Sequence, residues 1–266
     1  MLGVTGSSNA ASCFRRILVA LCVLAAANMF ADAPTDIYLL IGQSNMAGRG
    51  KLDGQKPLPS DRVLKFTKDR KWVECVEPIH FDKPTAGIGP GLAFARSMAE
   101  SDTNAVIGLV PCAVGGTLLS RWQPGRDLYS NAVERTKAAL SQGGRLCGIL
   151  WHQGENDSWN MELSSTYGVR LTNMVVQLRR ELGAGNVPFV AGEVGSHYAA
   201  IIEKAGRVSY VSMLNDSIKS AVRTVPAAKC VSSEGLLPCA DKIHFDVESS
   251  YKLGRRYAAA IQELMQ

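Results

Sequence analysis

Histidine is scarce in this chain, with four residues and no HxxxH or HExxH pattern, and the seven cysteines form no CxxC pair. Both absences argue against a structural or catalytic zinc site. Positive charge is not concentrated either. The 29 basic residues stand against 24 acidic ones, for a formal charge of +5, and they are scattered instead of gathered into a stripe, so nucleic acid is not an expected partner. The apolar run Ile17–Phe30 stops at 14 residues, short of the roughly 18 a spanning helix needs. Gly87-Ile88-Gly89-Pro90-Gly91 has no apolar strand before it and no Gly-Lys-Ser/Thr after it, so neither a dinucleotide nor a P-loop site is indicated. What is present, 46% hydrophobic residues with 25 Gly and 11 Pro over 266 positions, suits an ordinary globular protein and excludes disorder, collagen and coiled coil. At this length one α/β domain is the expected organisation.

The N-terminus has the order of a secretory signal peptide: Arg15 and Arg16, then the apolar run, then small residues. Ala25 and Ala27 offer one cleavage site and Ala31 and Ala33 another; Pro34 beside the second favours cutting after Ala27. This gives a signal peptide of residues 1–27 and a single domain of residues 28–266, exported and without stable membrane association once cleaved. Five cysteines then remain, an odd number and no disulfide framework. Cys230 and Cys239, nine apart around a loop, are the best candidate pair, while Cys112 and Cys147 sit in apolar runs as buried thiols.

Apolar runs bounded by turn residues recur at Ile37–Ile41, Ala105–Val110, Leu146–Trp151, Val187–Gly192 and Lys229–Ser232, the pattern of strands buried on both faces. Helix-period stretches lie between and after them, at about Pro90–Glu100, Tyr129–Ser141, Thr166–Leu182, Tyr210–Arg223 and Val247–Met265. The alternation predicts a parallel sheet with helices on both faces. The irregular stretch Arg49–Gly89 is expected to be a surface excursion with a short hairpin near Val63–Val73.

In open α/β sheets the ligand sits beyond the carboxyl ends of the strands, so the loops after the five runs are where chemistry belongs. A serine hydroxyl becomes a nucleophile when an imidazole takes its proton and a carboxylate fixes the imidazole tautomer. Ser44, His244 and Asp241 can fill these roles, since Ser44 lies where a strand turns into a helix and Asp241 is three residues before His244. Oxyanion donors can come from the Ser44 N–H, a backbone N–H of Gly115 or Gly116, and a side-chain amide of Asn45 or Gln153, with Gln153 preferred because its loop leaves a neighbouring strand. Glu155 can orient His244, bind substrate or face solvent. Met46 replaces the second glycine of G-x-S-x-G, which disfavours an α/β-hydrolase lipase.

The blocks IGQSNMAG, GIGPGLAFA, GLVPCAVGGT, LWHQGEND and DKIHF, in this order over nearly the whole chain after the signal, resemble the SGNH-hydrolase superfamily. They are most similar to its carbohydrate esterase family six and sialate O-acetylesterase-like branch, which includes plant acetylesterase-like proteins. The resemblance implies a flavodoxin-like three-layer α/β/α sandwich with a five-stranded parallel sheet, hydrolysis of acetyl esters on carbohydrate without a cofactor, and Ser44 as nucleophile with Asp241 and His244 as the D-x-x-H pair. It also makes Glu155 of the HQGE block a competitor for the acid partner of His244; the three-residue spacing favours Asp241.

An acetyl esterase has a small acyl pocket, so affinity comes from the alcohol side, where sugars meet aromatic faces and hydrogen bonds. Trp122, Trp159 and Tyr198 are candidate platforms, with Asn45 a further substrate contact. Asn156-Asp157-Ser158 and Asn215-Asp216-Ser217 match the glycosylation sequon, and a glycan on Asn156 would crowd the site. Two other readings are an inactive carbohydrate-binding protein on the same fold, and an esterase or thioesterase for longer acyl chains.

Overall fold

Every residue of the first strand, β1 (Asp36–Gly42), is buried, and its two-residue period divides two cores. Ile37, Leu39 and Ile41 enter one cluster, Tyr38 and Leu40 the other. The coordinates, a computed structural model, describe residue 1, residues 33–52 and residues 62–266. The proposed signal segment, including Ile17–Phe30, therefore lies outside the described residues apart from Met1. Residues 34–266 form one compact unit.

The strands that follow are β2 (Val63–Phe66), β3 (Trp72–Glu74), β4 (Ile107–Pro111), β5 (Arg145–His152), β6 (Phe189–Gly192) and β7 (Ala228–Val231). They make one sheet in the order β3-β2-β4-β1-β5-β6-β7, parallel throughout except for the antiparallel β2–β3 pair. The strand count corrects the expected five to seven among the described residues. The hairpin is not a surface excursion, because Val63, Leu64 and Lys65 register against Ile107, Gly108 and Leu109 and extend the sheet past β4.

The helices are α1 (Ser44–Ala47), α2 (Gly91–Ser101), α3 (Asp127–Leu140), α4 (Met161–Ser165), α5 (Tyr167–Glu181), α6 (His197–Lys204), α7 (Val211–Thr224) and α8 (Val247–Met265). Phe94 and Met98 of α2 and Leu253, Tyr257 and Ile261 of α8 cover one face of the sheet. Tyr129 of α3, Leu171, Met174 and Leu178 of α5, and Leu214 and Ile218 of α7 cover the other, completing three layers. Asp246 caps α8 by accepting the Ser249 N–H at 2.7 Å, which sets the start of the helix just beyond His244. No helix among the described residues is long and apolar enough to cross a membrane.

Strand β1 lies between β4 and β5, so the chain leaves its carboxyl end with neighbours on both sides. Leu40 pairs with Pro111 on one side and Gly42 with His152 on the other. The loops after β1, β4 and β5 thus converge where strand order reverses, the place where such sheets open a ligand crevice.

Candidate active site

Gly42 ends β1 at φ +132°, and a Cβ there would stand 2.1 Å from the carbonyl oxygen of His152. Glycine alone permits the chain to turn this close to β5. The turn delivers Ser44 as the first residue of α1, where the backbone N–H groups of the first turn have no intrahelical acceptor.

The residues Cys239–Phe245 close on themselves. Cys239 N–H donates to His244 O at 2.7 Å, and Asp241 Oδ1 accepts the backbone N–H groups of Ile243 and His244 at 2.8 and 2.9 Å. This holds Asp241 Oδ2 at 2.6 Å from His244 Nδ1. A carboxylate only accepts, so Nδ1 carries the proton and Nε2 of the neutral ring is the acceptor. Ser44 Oγ lies 2.9 Å from that Nε2 and donates to it. Partial burial works against the charge of Asp241, yet hydrogen bonds from the His244 ring and backbone, the Cys239 thiol and the Ile243 N–H hold its carboxyl well below the usual carboxylate range.

A cleft of about 490 Å³ opens over this chain of hydrogen bonds. Its walls include Gln43, Ser44, Arg49, Lys83, Thr85, Gly115, Gly116, Glu155, Asn156, Tyr198, Asp241 and His244. The residue after His244 is anchored from behind: Phe245 packs its ring between the edges of His152 and His197, with centroids 5.6 and 5.4 Å away. His197 Nε2 also donates to Ile243 O at 3.2 Å.

Several expected site residues take other positions. Glu155 makes no contact with His244; its Oε1 accepts from Asn45 Nδ2 at 2.5 Å, while Asn45 Oδ1 accepts the Phe245 N–H at 3.0 Å. Asn45 therefore has both ends of its amide engaged inside the protein and is a strut, not a substrate contact. Gln153 is 0% exposed, and the two N–H groups of its Nε2 face three acceptors, Thr117 O, Asp157 Oδ2 and Gln43 Oε1, at 2.9, 2.8 and 3.1 Å. With its donors held below the cleft floor it offers none to an oxyanion. The Gly115 N–H is likewise taken, by Asp82 Oδ2 at 2.8 Å, which leaves Gly116 as the loop glycine for that role. Trp122 is 1% exposed, meets Trp151 edge-on and donates to Thr117, so it belongs to the core and is no sugar platform. Trp159 donates to the Tyr198 hydroxyl at 3.0 Å, and of these two only Tyr198 reaches the cleft wall. Cys230 and Cys239 are both free thiols; Cys239 Sγ donates to Asp241 Oδ1.

Three residues in or directly behind the cleft carried no sequence signal for the roles their geometry allows. Gln153 donates to Gln43, and Gln43 Nε2 donates to Asn156 Oδ1 at 3.4 Å, so the Asn156 oxygen is turned inward and its amide nitrogen is left for the cleft. Asn156 is in the GEND block and was readable only as a sequon. Arg49 and Asp82, 33 positions apart in the stretch expected to be an excursion, form an ion pair in which Arg49 lines the cleft and Asp82 is buried behind it. The second sequon has both amide atoms of Asn215 bonded to Val194.

Residues 34–263 match the family described as carbohydrate esterase, sialic acid-specific acetylesterase. A probable carbohydrate esterase of Arabidopsis thaliana is 32% identical over 247 residues, covering 85% of this chain and 90% of that protein. The X-ray structure of an Arabidopsis thaliana protein is similar at a TM-score of 0.78 and 31% identity, over 86% of this chain and 98% of that one. A carbohydrate acetylesterase from Xanthomonas citri shares the fold at a TM-score of 0.63 and 22% identity, over 86% of this chain and 56% of that one.

Proposed function

The chain belongs to the carbohydrate esterase family of sialic acid-specific acetylesterases, and on that premise we propose that it is an exported serine esterase that removes O-acetyl groups from carbohydrate through an acyl-enzyme. The observation that carries this reading is the hydrogen-bonded series Asp241–His244–Ser44, at 2.6 and 2.9 Å, on the wall of an open cleft.

In this mechanism Ser44 Oγ attacks the acetyl carbonyl carbon while His244 Nε2 takes its proton, and the carbonyl electron pair moves to the oxygen. That oxyanion is met by the N–H groups of Ser44 and Gly116 and the amide nitrogen of Asn156. Collapse breaks the bond to the sugar oxygen, which leaves with the proton from His244, and the acetyl group remains as an ester on Ser44. A water gives a proton to His244, attacks the acyl carbon, and acetate departs as Ser44 regains its proton. Asp241 keeps Nδ1 protonated throughout and stabilises the imidazolium when it forms.

The substrate is an O-acetylated sugar of the kind found on xylan-type polysaccharide or sialic acid, held on its alcohol side by Tyr198, Thr85 and Lys83. The Arg15–Arg16 pair followed by the apolar run supports export, with cleavage after Ala27. The test is acetate release from acetylated xylan and from an O-acetylated sialic acid by the purified chain beside its Ser44→Ala variant. On the precedent of serine hydrolases the variant should lose on the order of 10⁶ in kcat. A Ser44→Ala variant that keeps most activity removes Ser44 from the mechanism; glycan binding by a folded chain with no turnover favours the binding-protein reading, and preference for chains beyond about butyrate the longer-acyl one.

A further inference from the structure

Arg49 and Asp82 lie outside the hydrogen-bonded series around Ser44, yet they join its two sides. Arg49 Nη1 donates to Gly48 O at 2.7 Å, and Gly48 is the residue that caps α1, its N–H donating to Ser44 O. Its Nη2 donates to Asp82 Oδ2 at 2.6 Å, and the same oxygen accepts the Gly115 N–H at 2.8 Å. The arginine side chain is 9% exposed and the aspartate 1%. A buried ion pair has to offset the desolvation of both charges, and it is weak evidence for stability. Here its geometry has a second effect, because one end is fixed to the helix that begins with Ser44 and the other to the loop that carries Gly116.

The approach is close. A Cβ on Gly115 would come within 2.4 Å of Arg49 Nη2, 3.1 Å of Asp82 Oδ2 and 3.3 Å of Ser44 Cβ, so the loop is seated against the nucleophile with the ion pair as its backing. Gly116 follows at φ +76°, a conformation that depends on where Gly115 is held. The buried His80 also faces Asp82, and burial lowers its imidazole to about 4, so it is neutral and does not compete with Arg49 for the carboxylate. Although burial opposes it, the hydrogen bonds from Arg49 and the Gly115 N–H keep Asp82 below the usual carboxylate range.

We infer that Asp82, backed by Arg49, is a positioning residue that holds the Gly115–Gly116 loop so that the Gly116 N–H meets the oxyanion of the acetyl transfer. The inference rests on the esterase reading above. Donor placement acts only when negative charge develops on the substrate oxygen, so its loss falls on kcat and not on substrate binding.

The test uses the full chain with Asp82→Asn, which keeps an acceptor for the Gly115 N–H but not the charge, and Asp82→Ala, which keeps neither. Rates are expressed per active site titrated, so that misfolded protein does not enter. Asp82→Ala is expected to lose on the order of 10- to 100-fold in kcat, part of the 10²–10³ that a whole oxyanion donor supplies, with KM within about twofold. Asp82→Asn should fall between it and the wild type. Affinity for an alkylboronic acid, which adds to Ser44 Oγ and sets an anionic boron adduct against the same donors, should fall by the same factor as kcat, while the midpoint of the pH–rate profile stays put because His244 and Asp241 are untouched. Amide exchange at Gly115 should quicken in Asp82→Ala. A merely structural ion pair would lower thermal stability and leave per-site kcat and boronate affinity at wild-type values, and that result overturns the inference. Failure of the esterase reading itself looks different: the wild type then turns over no acetyl ester and binds boronate equally with or without Ser44, which removes the positioning role even if Gly115 exchange still depends on Asp82.

Discussion

Glu155 and Asn45 are joined at 2.5 Å between Oε1 and Nδ2, and it is this contact, not one with His244, that the HQGE glutamate makes. Asn45 continues to the N–H of Phe245, next to His244, so Glu155 reaches the imidazole only through two intermediaries. Glu155→Gln and Asn45→Ala are each expected to lower kcat/KM about tenfold, and the double variant to lose little more than either, since residues in one network are not additive. Asp241→Asn, which removes the direct partner, should lose on the order of 10⁴. Steady-state kinetics on an acetyl ester decide it: a Glu155→Gln loss as large as that of Asp241→Asn would make Glu155 the acid partner after all.

The Asp241 carboxyl titrates well below its ordinary range. For an acid with a lowered value, the stabilising charge is fully present above the unfolded value of about 3.9 and is lost as pH falls through the folded one. Asp241 is therefore ionised across any pH above about 4, and the acid limb of kcat/KM there should have a slope of one, with no contribution from Asp241. A slope of two in the pH–rate profile would show that a second group, with Asp241 the first suspect, titrates in the same window.

Glu77 has the opposite displacement. Burial pushes its carboxyl up to about 7, although Oε2 accepts the Ile79 N–H at 3.0 Å, and Oε1 is buried with no partner. A raised acid holds its proton more tightly when folded, so stability should decline as pH rises from the unfolded value of about 4.3 to 7 and stay reduced above it. Glu77→Gln is expected to be more stable than the wild type at pH 8 by about 1–3 kcal/mol and equal to it near pH 4. Urea titrations at the two pH values measure this, and a variant that is less stable at pH 8 contradicts it.

Trp122 separates packing from substrate binding. Buried against Trp151 in the core, it should lose about 3–5 kcal/mol of stability on truncation to alanine. The folded fraction should keep the KM of the wild type for an acetylated sugar. A rise of tenfold in KM with little change in unfolding midpoint would return Trp122 to the sugar site.

Thiol chemistry offers a simple check on the loop that carries Asp241. Cys230 and Cys239 are free, and Cys239 donates to Asp241. Titration of the unfolded chain with a thiol reagent should give the same count with and without prior reduction, and reductant should leave the melting temperature where it was. A rise in titratable thiols after reduction would show a bridge.

The sequence by itself determined the layer architecture and the local part of the site. Strands such as Ile37–Ile41 and Leu146–Trp151 were legible because a parallel strand covered on both faces must be apolar at every position, and α8 because Tyr251, Ala258 and Ile261 repeat at helical spacing. The proximity of Asp241 to His244 was legible for the same kind of reason: three residues in a loop leave a carboxylate within reach of the ring. Contacts between distant segments were not. Whether Trp122 faces the core or the cleft, whether Gln153 points at an oxyanion or at Thr117 36 positions away, and whether Asp82 meets Gly115 all depend on how separate loops seat against one another after β1, β4 and β5 come together. The hairpin of Val63–Phe66 and Trp72–Glu74 joined the sheet for a reason no periodicity carries, the free edge of β4 beside it. Apolar period and short spacing are properties of a segment, while the direction of a polar side chain is settled by the partner that the fold brings to it.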